Sequence, residues 1–130
     1  TVSIGRGTSY PFQVIGHPNY NDKSFSFTPV SVDEERKPKH EGNESYGIDL
    51  RKIEVKKELN IKYLINFYNK LKDNDSDFFG KYFYRIAGNK KLENQIKDGI
   101  SEKEIRSSWQ IKLSQYKKKR KKYLLYKDFE

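Results

Sequence analysis

An α+β fold is predicted for this chain: a small mixed or antiparallel sheet from the N-terminal half, packed by two to four helices from the C-terminal half. Three observations carry the prediction. The first half, to about Arg51, is rich in Gly, Pro, Ser, Thr and aromatic residues, whereas the second is rich in Lys, Leu, Ile, Glu and Asn. That change marks a switch from strand-and-turn chemistry to helix chemistry. The length of 130 residues fits a single domain, residues 1–130, able to bury a modest core. Hydrophobic residues make up only 34%, but ten Tyr and eight Phe carry much of that share. Aromatic rings bury large areas while keeping a polar handle, so the chain reads as folded.

Three strands are expected first. Residues 2–4 run into the Gly5-Arg6-Gly7 turn, and residues 12–15 end at Gly16. Residues 25–32 alternate Phe25, Phe27 and Pro29 against Ser24, Ser26 and Thr28, which suits a strand buried on one face. Pro29 demotes the end of that strand to an edge or a bend. Residues 33–45 are polar, contain Pro38 and Gly42, and read as a loop. Residues 46–53 are read as a fourth strand.

The helices follow. Across residues 58–72, Ile61, Leu64, Ile65, Tyr68 and Leu71 recur at helical spacing, and Asp73-Asn74-Asp75 ends the segment. Residues 90–98 form a short helix with Gly99 at the C′ position. Ser101 with Glu104 matches a capping box, and the helix it starts is expected to reach about Tyr123. Ile105, Trp109, Leu113 and Tyr116 form one stripe of that helix and are expected to face the sheet.

The net charge of +9 favours acidic partners: nucleic acid, anionic lipid or an anionic cell-wall polymer. The absence of cysteine excludes disulfides and thiolate metal sites. No apolar run reaches membrane-spanning length, and no signal peptide opens the chain. Thr1-Val2-Ser3-Ile4 reads as the inside of a strand, so the sequence is expected to begin within a larger structure.

Candidate sites are few. Gly5-Arg6-Gly7-Thr8 follows a strand, yet it lacks both the Gly-Lys-Ser/Thr ending of a P-loop and a dinucleotide fingerprint. Its glycines permit a tight course that presents Arg6 and Thr8. Arg6 either meets a carboxylate with its planar fork or binds backbone carbonyls as a structural residue. His17, in Gly-His-Pro, reads as a surface turn, and His40 as a loop histidine, either solvated or in contact with a ligand. Together they make no metal signature. Outside the Lys-rich helical surface the carboxylates of note are Glu44 and Asp49, and Asp49 beside Arg51 reads as a structural ion pair. The residues alone do not mark an enzyme, because a glycosidase needs two carboxyl groups flanking one bond. The cationic run at residues 117–122 reads as the solvated end of a helix, with an anionic-polymer patch as the other reading. No aromatic platform or groove-reading motif supports nucleic acid.

Several segments, in order and spacing, resemble one family. They are Ser3-Ile4-Gly5-Arg6-Gly7-Thr8, Pro11-Phe12-Gln13-Val14-Ile15-Gly16, Phe25-Ser26-Phe27-Thr28-Pro29, Pro38-Lys39-His40, Tyr46-Gly47-Ile48-Asp49-Leu50-Arg51, Ala87-Gly88-Asn89, Ser101-Glu102-Lys103-Glu104 with Trp109, and Arg120-Lys121-Lys122-Tyr123-Leu124-Leu125-Tyr126. This pattern is similar to the C-terminal half of the NamZ-like exo-β-N-acetylmuramidases, and the resemblance covers nearly the whole chain. Ser45 stands where relatives often carry Cys.

The resemblance implies a two-domain glycoside hydrolase whose Rossmann-like N-terminal domain, absent from this sequence, carries the catalytic acid. No catalytic residue is therefore assigned here. It implies peptidoglycan fragments as substrate, with N-acetylmuramic acid removed from the non-reducing end, and a periplasmic or secreted location. The substrate-facing surface is expected on Arg6, Thr8, Phe12, Gln13, His40 and Tyr46, with Arg6 reading the lactyl carboxylate. No cofactor, metal or membrane span is expected, and nucleic acid is not a favoured partner. The alternative is a non-catalytic basic module that binds anionic cell-wall polymer or nucleic acid.

Overall fold

The computed structural model describes residues 1–32 and 37–128. It is an α+β architecture in which strands β1 (Val14–His17), β2 (Ser26–Phe27) and β3 (Ser45–Asp49) form an antiparallel sheet in the order β1-β3-β2. Four helices follow: α1 (Lys62–Leu71), α2 (Phe83–Ile86), α3 (Lys91–Lys97) and α4 (Glu102–Arg120). The chain divides into two compact units, Thr1–Gly88 and Asn89–Glu130.

Within the first unit, the strands are shorter than the alternation of residues suggests, and each trim has a local cause. Residues 2–4 contribute an isolated bridge, in which Ser3 and Gly16 exchange hydrogen bonds of 2.8 and 2.9 Å. The first strand starts at Val14 and not at Phe12, because Phe12 sits at φ +64 in a turn and donates its N–H to Ile4. Beyond Phe27 the third expected strand leaves the sheet. Pro29 has no N–H to give, and the Val30 N–H goes to the Gly7 carbonyl at 2.9 Å. The fourth ends at Asp49, whose carboxylate accepts from the Arg51 N–H and caps a 3-10 turn, Leu50–Lys52. Of the loop expected at residues 33–45, Asp33, Glu34, Glu35 and Arg36 lie outside the described residues, and residues 37–44 form turns and irregular backbone.

Register places Ile15, Ile48 and Tyr46 on the sheet face that packs α1, since paired residues in an antiparallel sheet share a side. Tyr20, Phe67, Leu71 and Phe78 form the buried centre, with Leu64, Tyr68 and Phe79 against it. Phe67, outside the expected stripe, is its pivot: 1% exposed and stacked on Tyr20 at 4.5 Å between ring centres. The helix starts at Lys62, later than residue 58, because the Asn60 side chain accepts from the Lys62 N–H at 2.9 Å. The Phe78-Phe79 pair closes on Tyr68 at 5.6 and 5.1 Å, and α2 follows as a single turn that the sequence pattern does not signal.

His17 is a correction to the surface-turn reading: it is a buried strand end, 6% exposed. His40 stands edge-on to it at 4.5 Å and bonds the Thr1 carbonyl through Nε2 at 2.9 Å. His17 Nδ1 accepts from the Asn19 N–H at 3.0 Å. The two imidazoles thus tie the N-terminal segment and the loop of His40 to the end of β1.

In the second unit, α3 ends as expected, with Gly99 at φ +74 and its N–H on the Ile96 carbonyl at 3.1 Å. Ser101 and Glu104 form the full capping box that starts α4. Ile96 and Ile105 are buried. The stripe beyond Ile105 departs from expectation, since Trp109 is half-buried and Leu113 and Tyr116 are 41% and 60% exposed. The helix itself stops at Arg120 and continues as a 3-10 turn, Lys121–Tyr123.

Two outcomes follow from this packing. Phe67→Ala should destabilise the fold by about 3–5 kcal/mol, read from the denaturation midpoint and its slope. Both imidazoles are held below their ordinary pKa, first by burial; the neighbouring His40 pushes His17 in the same direction. The unfolded chain therefore binds these protons more readily. Stability should be whole above about pH 6.5 and should decline as the pH falls toward the depressed folded values. Denaturation at about pH 7.5 and about pH 5, above most carboxylate titration, should show that loss, and a smaller one in His40→Gln.

Candidate functional site

The loop from Gly5 to Gln13 is bent by its glycines. Gly5 and Gly7 stand at φ +78 and +80, the left-handed region that costs glycine nothing. A Cβ on Gly5 would stand 2.7 Å from the Val14 side chain, and one on Gly7 2.7 Å from the Val30 carbonyl. The loop therefore lies directly on the sheet face of Val14, opposite the face that packs α1. Thr8 locks it from inside: its hydroxyl donates to the Gly5 carbonyl at 2.6 Å and accepts from the Tyr10 N–H at 3.2 Å. The Gln13 carbonyl accepts from the Leu50 N–H at 2.9 Å, which joins the loop to the end of β3.

This course exposes Arg6 and sets its guanidinium 5.3 Å from the centre of the Phe12 ring. Phe12 is itself 62% exposed, on left-handed backbone that a bulky residue rarely adopts. On the same loop, the Tyr10 ring carries Arg51 at 4.3 Å. Arg51 also grips Asp49 with two bonds, of 2.8 and 2.9 Å, as the expected ion pair. Those side-chain bonds hold the Asp49 carboxyl at about 2. The loop thus carries two guanidinium–aromatic pairs, a chemistry suited to an anionic, ring-bearing ligand.

Of the six residues expected at the substrate surface, Arg6, Thr8, Phe12 and Gln13 share this loop. Thr8 acts on the loop's own backbone, while Gln13 is exposed. His40 and Tyr46 both lie beside His17, His40 by ring contact and Tyr46 as its register partner across the sheet. Tyr46 packs on the core, donates its hydroxyl to Glu44 at 2.8 Å and carries Lys23 at 5.0 Å from its ring. Glu44 is lowered by hydrogen bonds from Ser26 first and Tyr46 second. Tyr10 and Arg51 are additions that sequence reasoning missed. The Asp49–Arg51 spacing was the visible signal, but the contact of Arg51 with Tyr10 spans 41 positions.

An open groove of about 440 Å³ is lined by Leu50, Ile53, Val55, Glu58 and Tyr63 among others and contains none of the six. Among the described residues, no group of three or more His, Asp or Glu side chains could hold a metal ion.

The sequence matches the family model described as exo-β-N-acetylmuramidase NamZ, C-terminal, over residues 1–126. A curated relative, the peptidoglycan β-N-acetylmuramidase NamZ of Bacillus subtilis strain 168, is 29% identical over 146 aligned positions, spanning 96% of this chain and 34% of the relative. A crystal structure of a DUF1343 family protein from Bacteroides fragilis NCTC 9343 superposes with a TM-score of 0.89 at 37% identity, over 98% of this chain and 37% of that one. The chain thus spans about a third of the length of these relatives. A family match over nearly every residue, with the same fold in a sequence-related structure, places this chain in the family of NamZ C-terminal domains.

Proposed function

We propose that this chain is the substrate-facing lobe of a larger glycoside hydrolase, an exo-β-N-acetylmuramidase that releases N-acetylmuramic acid from the non-reducing ends of peptidoglycan fragments. The observation that carries the reading is the Arg6–Phe12 pair, held outward by a loop folded tightly onto the sheet. An exposed phenyl ring on left-handed backbone is costly unless something covers it, and backbone strain of this kind gathers at ligand-binding sites. N-acetylmuramic acid differs from N-acetylglucosamine by a lactyl carboxylate. Arg6 meets that group with two parallel N–H donors, and Phe12 offers a flat apolar face to the pyranose ring.

Hydrolysis needs a carboxylic acid of raised pKa beside a second carboxylate. Asp49 and Glu44, the two carboxylates of note outside the Lys-rich helical surface, do not supply the acid. Asp49 is held at about 2 by Arg51, and Glu44 is lowered by its hydroxyl partners. In this reading the catalytic groups belong to the further length that the relatives carry, and the complete protein works where peptidoglycan fragments occur, in the periplasm or outside the cell. The rival reading, a basic module that binds anionic polymer without cleavage, differs in requiring no second lobe.

The purified 130-residue chain should leave a chromogenic muramic-acid glycoside intact, because one lobe neither supplies both carboxyl roles nor excludes water. Turnover at an enzymatic rate would overturn the two-lobe reading. In the complete enzyme, Arg6→Ala should weaken muramic-acid substrates by roughly ten- to a hundred-fold and leave N-acetylglucosamine analogues nearly unchanged. Equal losses on both sugars would show that Arg6 serves the loop and not the lactyl group.

A further inference from the structure

The charge of this chain is concentrated at one end. Residues 111–130 hold eight Lys or Arg and two Asp or Glu, which is +6 of the total +9. No acidic residue lies between Glu104 and Asp128. The backbone gives this segment a definite form. After α4 ends at Arg120, the 3-10 turn Lys121–Tyr123 follows, and Leu124 leaves it in extended conformation at φ −73 and ψ 127. The chain then returns, so that the Asp128 carboxylate accepts from the Arg120 guanidinium at 2.8 Å, with 18% and 22% of those side chains exposed. This half-buried ion pair closes a terminal loop.

The apex of the loop is apolar and in water. Leu125 is 91% exposed and Tyr126 86%, with Tyr123 at 69% and Leu124 at 41%. Immediately before it come six consecutive cations, Lys117-Lys118-Lys119-Arg120-Lys121-Lys122. Steps of about 100° spread six residues round more than one full turn. They therefore form a collar about the helix axis and not a stripe along it. Beside the collar, Ser114, Lys117, Lys118, Lys121 and Asp128 line a groove of about 310 Å³, where a hydroxyl and ammonium groups can meet a phosphate.

We infer that this terminal loop is an interfacial contact for an anionic lipid bilayer, met end-on: Leu124, Leu125 and Tyr126 enter the acyl boundary while the collar sits at the phosphates. The order of chemistry along the axis, cations then tyrosine and leucine, matches the order of depth in a bilayer surface. A nucleic acid or a phosphodiester polymer would use the cations and leave the leucines in water, so the exposed apex decides for lipid. The contact is peripheral: no helix among the described residues is long and apolar enough to cross a membrane. This inference is independent of the Arg6 surface.

Flotation of the purified chain with vesicles tests it. Binding is expected to vesicles containing phosphatidylglycerol and not to pure phosphatidylcholine. Lys118→Gln, Lys119→Gln and Lys121→Gln together should weaken binding about a hundred-fold, at about five-fold per cation. Leu125→Ser with Tyr126→Ser keeps every charge and should still cost at least about ten-fold. Circular dichroism checks that the variants fold, and a blue-shifted emission from Tyr126→Trp on anionic vesicles reports insertion directly. Failure of the chain to bind anionic vesicles overturns the inference. So does a serine double variant that binds as tightly as the parent, or parent affinity for soluble poly(glycerol phosphate) equal to that for vesicles, since both would mark a plain polyanion surface.

Discussion

The close seating of the Gly5–Gly7 turn on the sheet governs most of the first unit. With a Cβ forbidden at both glycines by contacts of 2.7 Å, the backbone can lie against Val14 and Val30. From that contact the rest follows. The Gly7 carbonyl captures the Val30 N–H and draws the chain away after Phe27, so β2 stays at two residues. The Ile4 carbonyl captures the Phe12 N–H, which turns Phe12 outward toward Arg6. A side chain at either glycine would lift the loop, and the loss would reach both the sheet edge and the proposed sugar-facing surface.

In a chain with a mean hydropathy of −1.02, the first unit is held by rings as much as by aliphatic side chains: Tyr20, Phe27, Phe67 and Phe78 are buried beside Val14, Ile61 and Leu71. Tyr20 shows why this works. Its ring stacks on Phe67 while its hydroxyl donates to Asn66 at 2.9 Å, so one residue adds apolar area and leaves no buried polar group unmet. The same economy places Tyr46 on the core face with its hydroxyl on Glu44. Polar tips reaching the rim explain how a strongly charged sequence still closes a core.

The functional features divide between two kinds of backbone. The Arg6–Phe12 surface stands on a loop pinned by side-chain and backbone bonds, which suits a site that must hold a sugar in one orientation. The terminal loop is closed by the Arg120–Asp128 ion pair and presents long lysine side chains and an apolar tip, which suits a surface that has no single geometry.

The sequence by itself determined the fold class, the order of the sheet strands and the three longer helices, and the features that local chemistry writes: the Ser101–Glu104 capping box, Gly99 after α3 and the glycine turn that presents Arg6. These depend on residues within a few positions of one another, so spacing alone reveals them. The tertiary structure decided what spacing cannot carry. It chose Phe67 as the core pivot, because Tyr20 lies opposite it. It buried His17 against His40, whose loop returns from 23 positions away. It left Leu113 and Tyr116 in water although they continue the stripe of Ile105. It also set Arg51 on Tyr10 and placed His40 and Tyr46 around His17. In each case the deciding partner is distant in sequence, and burial is a property of the pair and not of either residue.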